Sequence, residues 1–238
     1  MSIEGRTVVI TGASGALGST LARELAAKGA HLALLERSEE KLAGLAESLD
    51  LPGERILTRV VDLLSYEGTE AAADAVAQRF GRVDALLHLV GGWVGGKALL
   101  ETEPADLDFM LNQHARTTFN ALRAFAPHLH RNGWGRVVMV STPLAARPGA
   151  KNSAYVAGKA AQEALMLTLA QELKGSGVTA NLLLVNAIDA KREKLSAPTS
   201  GNASWSTPEE LWAAVSFLLS DAAAMMNGAR LPMTGAPA

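Results

Sequence analysis

Residues 6–18 read RTVVITGASGALG. An apolar, β-branched run of strand length passes into small residues from Thr11 to Gly18. It then enters LGSTLARELAAKG (17–29), whose apolar positions recur at helical spacing up to Gly29. This order sets a helix N-terminus at the end of a strand. Small residues let the backbone come close to a ligand there, and the free N–H groups and dipole of the helix favour an anion such as a pyrophosphate. The spacing of Gly12, Gly15-Ala16 and Gly18 is looser than the commoner G-x-G-x-x-G, so the strand–turn–helix setting carries the reading.

The alternation that starts here runs through the chain. HLALLE (31–36), RILTRVV (55–61), VDALLHLV (83–90), GRVVMVS (135–141) and VTANLLLV (178–185) read as strands. Helices are expected over 38–49, with Ser38 as N-cap, from the third strand to about Phe80, and over 104–130, 154–174 and 208–220. A short strand near 229–233 closes the chain. Nearly continuous apolar strands suit a sheet buried on both faces. Strand–helix alternation predicts a parallel, doubly wound α/β sheet with helices on both faces. A single domain over 1–238 is expected, with a dinucleotide-binding half to about residue 135 and a catalytic and substrate half over 136–238. The long irregular stretch AIDAKREKLSAPTSGNASWS (187–206) is expected to be a lid that orders over substrate.

Composition narrows the function. A chain of 238 residues that is 48% hydrophobic supports one sizeable core. A net charge of −2 gives no electrostatic reason to expect nucleic acid or an anionic membrane as partner. Without cysteine, disulfides, thiolate catalysis and zinc-thiolate sites are excluded, and no metal site is expected. No apolar run is long enough to span a bilayer. The start, MSIEGRTVVITG, lacks the basic and apolar regions of a signal peptide, so a cytoplasmic location is expected.

Two further features carry chemistry. Glu36 ends the second strand, where a carboxylate accepts hydrogen bonds from the ribose hydroxyls of an adenosine and repels a 2′-phosphate. That favours NAD over NADP, while Arg37, next in the chain, offers the opposite preference. Tyr155 and Lys159 are four apart on a predicted helix and share a face. A tyrosine hydroxyl titrates near pH ~10, and a nearby ammonium favours its phenolate, which suits it to proton transfer.

TGASGALG after the first strand, Asp62 after the third, Tyr155-Val-Ala-Gly-Lys159 and TPEELWAAVSFLLSD (207–221) together make the chain resemble the short-chain dehydrogenase/reductase family along its whole length. The resemblance implies a Rossmann-like fold and an NAD(P)-dependent oxidoreductase. Such an enzyme moves a hydride between the nicotinamide cofactor and a small carbonyl or alcohol substrate. It implies Tyr155 as acid/base, and Lys159 to lower its pKa and hold the nicotinamide ribose. Thr142, or Ser141 beside it, orients the substrate oxygen. Alternation along a strand admits only one of the two. The cofactor-binding set it implies begins with Gly12, Ser14, Gly15, Ala16, Leu17 and Gly18. Glu36 or Arg37, Asp62 and Leu63 follow, and then Val90, Gly91, Gly92 and Ile188. Tyr155 and Lys159 complete it. A homotetramer or homodimer, built largely on the long helices at 104–130 and 154–174, is implied as well.

The chain departs from the family pattern at three places. N-N-A-G after the fourth strand is here His88-Leu-Val-Gly91, the asparagine of the following long helix is His114, and P-G after the sixth strand is Val185-Asn186. His114 either takes over a proton-relay role or is a packed histidine. The second glycine-rich stretch, HLVGGWVGGK (88–97), follows the fourth strand rather than the first. Its glycines are expected near the nicotinamide-side ribose. Trp93 stands beside the substrate pocket, as a flat platform or as a lid on the cofactor. It is similar to the G-G-W-x-G-G of quinonoid dihydropteridine reductases, a divergent branch of the family, as is SWSTPEEL (204–211). Two alternatives to a general carbonyl or alcohol oxidoreductase follow: a dihydropteridine reductase-like enzyme, and a cofactor-binding sensor or scaffold with little turnover.

Overall fold

Seven strands form one sheet in the computed structural model, which describes residues 3–235. They are β1 (Thr7–Thr11), β2 (His31–Glu36), β3 (Ile56–Val60), β4 (Ala85–His88), β5 (Gly135–Ser141), β6 (Val178–Leu184) and β7 (Arg230–Pro232). Their order is β3-β2-β1-β4-β5-β6-β7 and every pair is parallel. Side chains alternate between the two faces. Val8 and Ile10, Leu32 and Leu34, and Ala85 and Leu87 point to one face. Val9, Ala33, Leu35 and Leu86 point to the other.

Helices cover both faces. Leu21 and Leu25 of α1 (Ala16–Ala27), Leu42 of α2 (Glu39–Leu49) and Leu211 and Val215 of α8 (Pro208–Leu218) pack on the first. Val76 of α3 (Tyr66–Phe80), Phe125 of α5 (Thr117–Arg131) and Met166 of α6 (Ser153–Glu172) pack on the second. Local chemistry fixes the starts. Ser38 accepts from Lys41 N at 3.3 Å at the head of α2. Thr207 and Glu210 cap α8 reciprocally, each side chain accepting from the other's N–H, with Pro208 as the first helical residue.

Two expectations change. The helix expected over 104–130 is α4 (Pro104–Leu111) and α5 joined by a π turn over Asn112–Arg116. Thr117 N donates to Asn112 O, five residues back, and the Thr117 hydroxyl satisfies Gln113 O at 2.8 Å. The stretch 187–206 is not structureless. It holds the short helix α7 (Glu193–Ser196), whose first N–H groups are accepted by the Asp189 carboxylate, and Ile188 pairs with Ser206 across it.

At the amino edge of the sheet, Asp84 is fully buried. It accepts from Thr7 N at 2.8 Å, from Arg6 at 3.0 Å and from Arg82 Nε at 2.8 Å. The guanidinium groups of Arg6 and Arg136 stand 3.9 and 4.3 Å from the centroid of the Trp134 ring, which donates its N–H to Asp221. The opposite, carboxyl edge carries the switch point, where the chain order reverses between β1 and β4. Doubly wound sheets bind ligands in that crevice. Here Gly18 lets α1 start hard against the turn, since a Cβ would sit 2.4 Å from Gly12 O and 2.7 Å from Ala13 O. Gly18→Ala is therefore expected to destabilise by roughly 1–3 kcal/mol. Gly44→Ala, in open space inside α2, is expected to stabilise by about 0.5–1 kcal/mol. Urea unfolding of both variants measures the contrast.

Candidate active site

The crevice begins at the turn between β1 and α1. Gly15 stands before α1, and no side chain caps the helix, which leaves its first N–H groups to a ligand. A cleft beside it is lined by Gly12, Ser14, Glu36, Arg37, Asp62 and Leu63, and further along by Val90 and Gly91. Glu36 faces this cleft with its carboxylate held in place. Ser14 Oγ donates to it at 2.6 Å and Arg37 N at 2.8 Å. Those bonds keep its carboxyl below the usual glutamate value although burial pushes the other way. The Arg37 side chain makes no bond to Glu36. An uncapped helix start and an oriented carboxylate in one cleft at the sheet edge fit the pyrophosphate and adenosine ribose of a nicotinamide cofactor. Ala16, Leu17 and Gly18 open α1 behind the turn. Gly92 follows Gly91 beside His114, and Ile188, partly buried, packs against the core that α1 and α8 cover.

The second half of the crevice is built by β5, α6 and the π turn. Ser141 and Thr142 end β5 and diverge as strand alternation requires. Ser141 is turned inward and donates to Glu163 at 2.6 Å. Thr142, also buried, accepts from Leu144 N at 3.3 Å, with its hydroxyl on the side of the Tyr155 phenol. Burial raises the pKa of Tyr155 above the usual tyrosine value, and the Thr142 hydroxyl acts against that rise. Lys159, expected beside this phenol to lower its pKa, is turned to other partners. Its ammonium donates to Val140 O and Gln162 Oε1, both at 2.9 Å. Burial, opposed by the charge of Glu163, pulls the Lys159 pKa down to about 7.

Two histidines floor the same space. His88, at the end of β4, meets Thr11 Oγ1 through Nδ1 at 2.8 Å and is wholly buried. His114 sits in the π turn with its ring edge-on to Tyr155, centroids 5.7 Å apart. Its Nε2 donates to Gly92 O at 2.9 Å, so Nδ1 is the acceptor of a neutral ring. His88 Nε2 and His114 Nδ1 are buried and have no partner. Burial first, and the Lys159 charge next, lower His88 to about 3 and His114 to about 4, so both stay neutral at physiological pH. α6 comes this close because residue 158 is glycine: a Cβ there would lie 2.6 Å from Met110 O. Gly91 closes the space from above, its position for a Cβ 3.2 Å from His114 Cε1 and 4.0 Å from Lys159 Nζ.

Trp93 is 61% exposed. Its N–H donates to Asn152 Oδ1 at 3.3 Å, three residues before Tyr155, and its ring folds over Gly95. The loop is fastened again by Gly96 N to Lys151 O at 2.7 Å. Asn152, Gln162 and Glu163 belong to this region and were not singled out from the sequence. The signal for the last two was available: polar residues one turn past Lys159, on the face of α6 that must be buried.

A doubly wound sheet with an open helix start at its switch point, and a tyrosine, threonine and lysine across from it, defines a dinucleotide-dependent oxidoreductase. The chain belongs to the short chain dehydrogenase family, whose model matches residues 6–199. It is an NAD(P)-dependent enzyme that transfers a hydride to or from small alcohol or carbonyl compounds. It is 31% identical to D-threitol dehydrogenase of Mycolicibacterium smegmatis, over 98% of this chain and 93% of that protein. It is 28% identical to 1,6-dihydroxycyclohexa-2,4-diene-1-carboxylate dehydrogenase of Pseudomonas putida, over 98% and 92%. Among solved structures it is similar to levodione reductase, with a TM-score of 0.87 and 27% identity over 98% of this chain and 97% of that one. Among the described residues, no helix is long and apolar enough to cross a membrane.

The buried ammonium makes stability depend on pH. The unfolded chain keeps the Lys159 proton up to about pH 10.4, and the folded protein releases it near pH 7, its pKa being about 7. Unfolding therefore takes up a proton between those values, and this group's contribution to stability rises with pH across that window. Lys159→Met lacks the rise. Its stability relative to wild type is expected to be greatest below about pH 7 and to shrink toward about pH 10. Urea midpoints at a series of pH values measure it, and parallel profiles for the two proteins would remove the titration.

Proposed function

We propose that this chain reduces a small carbonyl compound, or oxidises the matching alcohol, with NAD(H) in preference to NADP(H), through Tyr155, Thr142 and Lys159. The setting of the Tyr155 phenol supports the reading most: it is held edge-on to His114 at the carboxyl edge of the sheet, with the Thr142 hydroxyl near enough to oppose the rise that burial gives its pKa. The bound cofactor supplies or accepts the hydride. Tyr155, kept a neutral phenol by its burial, gives the proton to the oxygen in the reductive direction and takes it back in the oxidative one. Thr142 fixes the oxygen's position. Lys159 spends two of its three protons on Val140 and Gln162, and the third is directed to the nicotinamide ribose. His114, neutral and with a free acceptor nitrogen, takes the proton-relay role. Trp93 forms a wall of the substrate pocket, its ring held by Asn152. An apolar groove between α5 and α6, lined by Phe119, Leu122, Leu165 and Leu169, supports a homodimer or homotetramer built on these helices.

Steady-state kinetics with NADH against ketones, aldehydes, quinones and a quinonoid dihydropterin test the reading. Tyr155→Phe is expected to lose about 10²–10⁴-fold in turnover while keeping its NADH affinity. Full activity in that variant would remove the proton-transfer role.

Cofactor choice follows from Glu36, which meets ribose hydroxyls and repels a phosphate. NADH is expected to bind at least about tenfold tighter than NADPH, a difference of about 1.4 kcal/mol, and Glu36→Ala to narrow the gap. Nicotinamide fluorescence titration measures both. Equal or tighter binding of NADPH by the wild-type protein would assign the choice to Arg37.

A further inference from the structure

Behind Lys159, α6 buries two polar residues that the chemistry above leaves unused. Gln162 and Glu163 are 0% and 2% exposed. Gln162 accepts from the lysine through Oε1 and donates through Nε2 to Thr118 on α5 at 3.0 Å, so it fixes where the ammonium stands. Glu163 makes no direct bond to Lys159. Its carboxylate is divided between Ser141 Oγ at 2.6 Å, from the end of β5, and Arg230 Nη2 at 2.6 Å, from the start of β7. A carboxylate buried this deeply is held only by full pairing, and loss of a partner leaves a costly charge. The expense has a beneficiary one helical turn away.

Apart from Glu163, the titratable groups around Lys159 carry no negative charge. His88 from β4 and His114 from the π turn are neutral, Tyr155 on α6 is a neutral phenol, and Arg230 from β7 is a cation paired with Glu163. Among the described residues Glu163 is the anion whose charge acts on the lysine. We propose that Glu163 is a positioning residue for hydride transfer: its buried carboxylate, shared between Ser141 and Arg230, keeps Lys159 in its ammonium form. Burial alone favours the neutral amine. A neutral amine at Lys159 has one proton fewer to give the nicotinamide ribose and no charge to offer the phenol. The inference rests on the proposed roles of Tyr155 and Lys159 for its effect on turnover, and for the charge on a buried carboxylate held by Ser141 and Arg230 one helical turn from the lysine.

Titration of Lys159 itself tests it. Protein labelled with ¹³C at the lysine ε-carbons gives a Lys159 resonance, assigned by its loss in Lys159→Met, that reports protonation without any substrate. Glu163→Gln keeps the shape of the side chain and removes its charge. Its Lys159 midpoint is expected to fall by about one pH unit, a tenfold loss of proton affinity. Arg230→Met leaves the Glu163 charge unshared and is expected to raise the midpoint. Opposite shifts separate an electrostatic role from loosened packing, which moves both variants the same way. An unmoved midpoint in Glu163→Gln, or a fall in both variants, overturns the proposal. The alkaline limb of NADH-dependent reduction is expected to follow the midpoint in each variant. If the wild-type protein turns over nothing in the panel, the assigned roles of Tyr155 and Lys159 fail, and the titration still decides the role of Glu163.

Discussion

The Asp84 carboxylate holds the two strands on which everything else is aligned. It binds the backbone of β1 at Thr7 and the guanidinium groups of Arg6 and Arg82, while its own backbone bonds Thr7 O and, through its carbonyl, Arg136 N of β5. Charge-assisted bonds in a buried site are the strong kind and they are directional. They set the register Val8 to Ala85 at one end of the β1–β4 pair, and the Thr11–His88 bond closes the other end of the same ladder. With both ends pinned, Gly12 and the residues after His88 emerge side by side at the carboxyl edge. The opening between them is the crevice, so a charge buried at one edge of the sheet determines the shape of the other.

The chemistry at that edge is done in a space with little net charge of its own. Two imidazoles are neutral, the phenol is neutral, Arg230 and Glu163 offset each other, and the Lys159 ammonium is close to losing its proton. That is the expected outcome of packing ionisable groups under a glycine loop and against a helix, where each charge costs more than it does in water. It also means that small electrostatic changes have large effects on protonation there, since no solvent screens them.

How much of this the sequence shows depends on the range of each interaction. The strands of the sheet read from their apolar runs, and the starts of α2 and α8 from Ser38 and from Thr207-Pro208-Glu-Glu210, because caps and patterns are local. The glycine turn and Glu36 are legible for the same reason. Alternation told that Ser141 and Thr142 diverge. Which one meets the phenol depends on Glu163, twenty-two residues away in the chain. The orientation of Lys159 escaped for the same cause: a helical spacing of four brings Tyr155 and Lys159 to one face, and Gln162 and Val140 then decide where the ammonium goes. Asn-Gln-His-Ala-Arg carries no local mark of a π turn, and the four-residue helix α7 is held by Asp189 rather than by its own sequence.

A π turn is what an α-helix becomes when it takes in one more residue without moving its ends. Each residue advances an α-helix by about 100°, so the positions of α4 and of α5 belong to two different angular phases of a single rod. No helical wheel drawn across 104–131 sorts its faces correctly. A relative whose chain is one residue shorter at 112–116 would have a straight helix there, with the side chain of residue 114 carried to another side and Gly92 O left without a donor. The length of this helix, counted to a single residue, is thus a heritable character separate from its composition, and it divides chains that place an imidazole beneath the glycine loop from chains that do not.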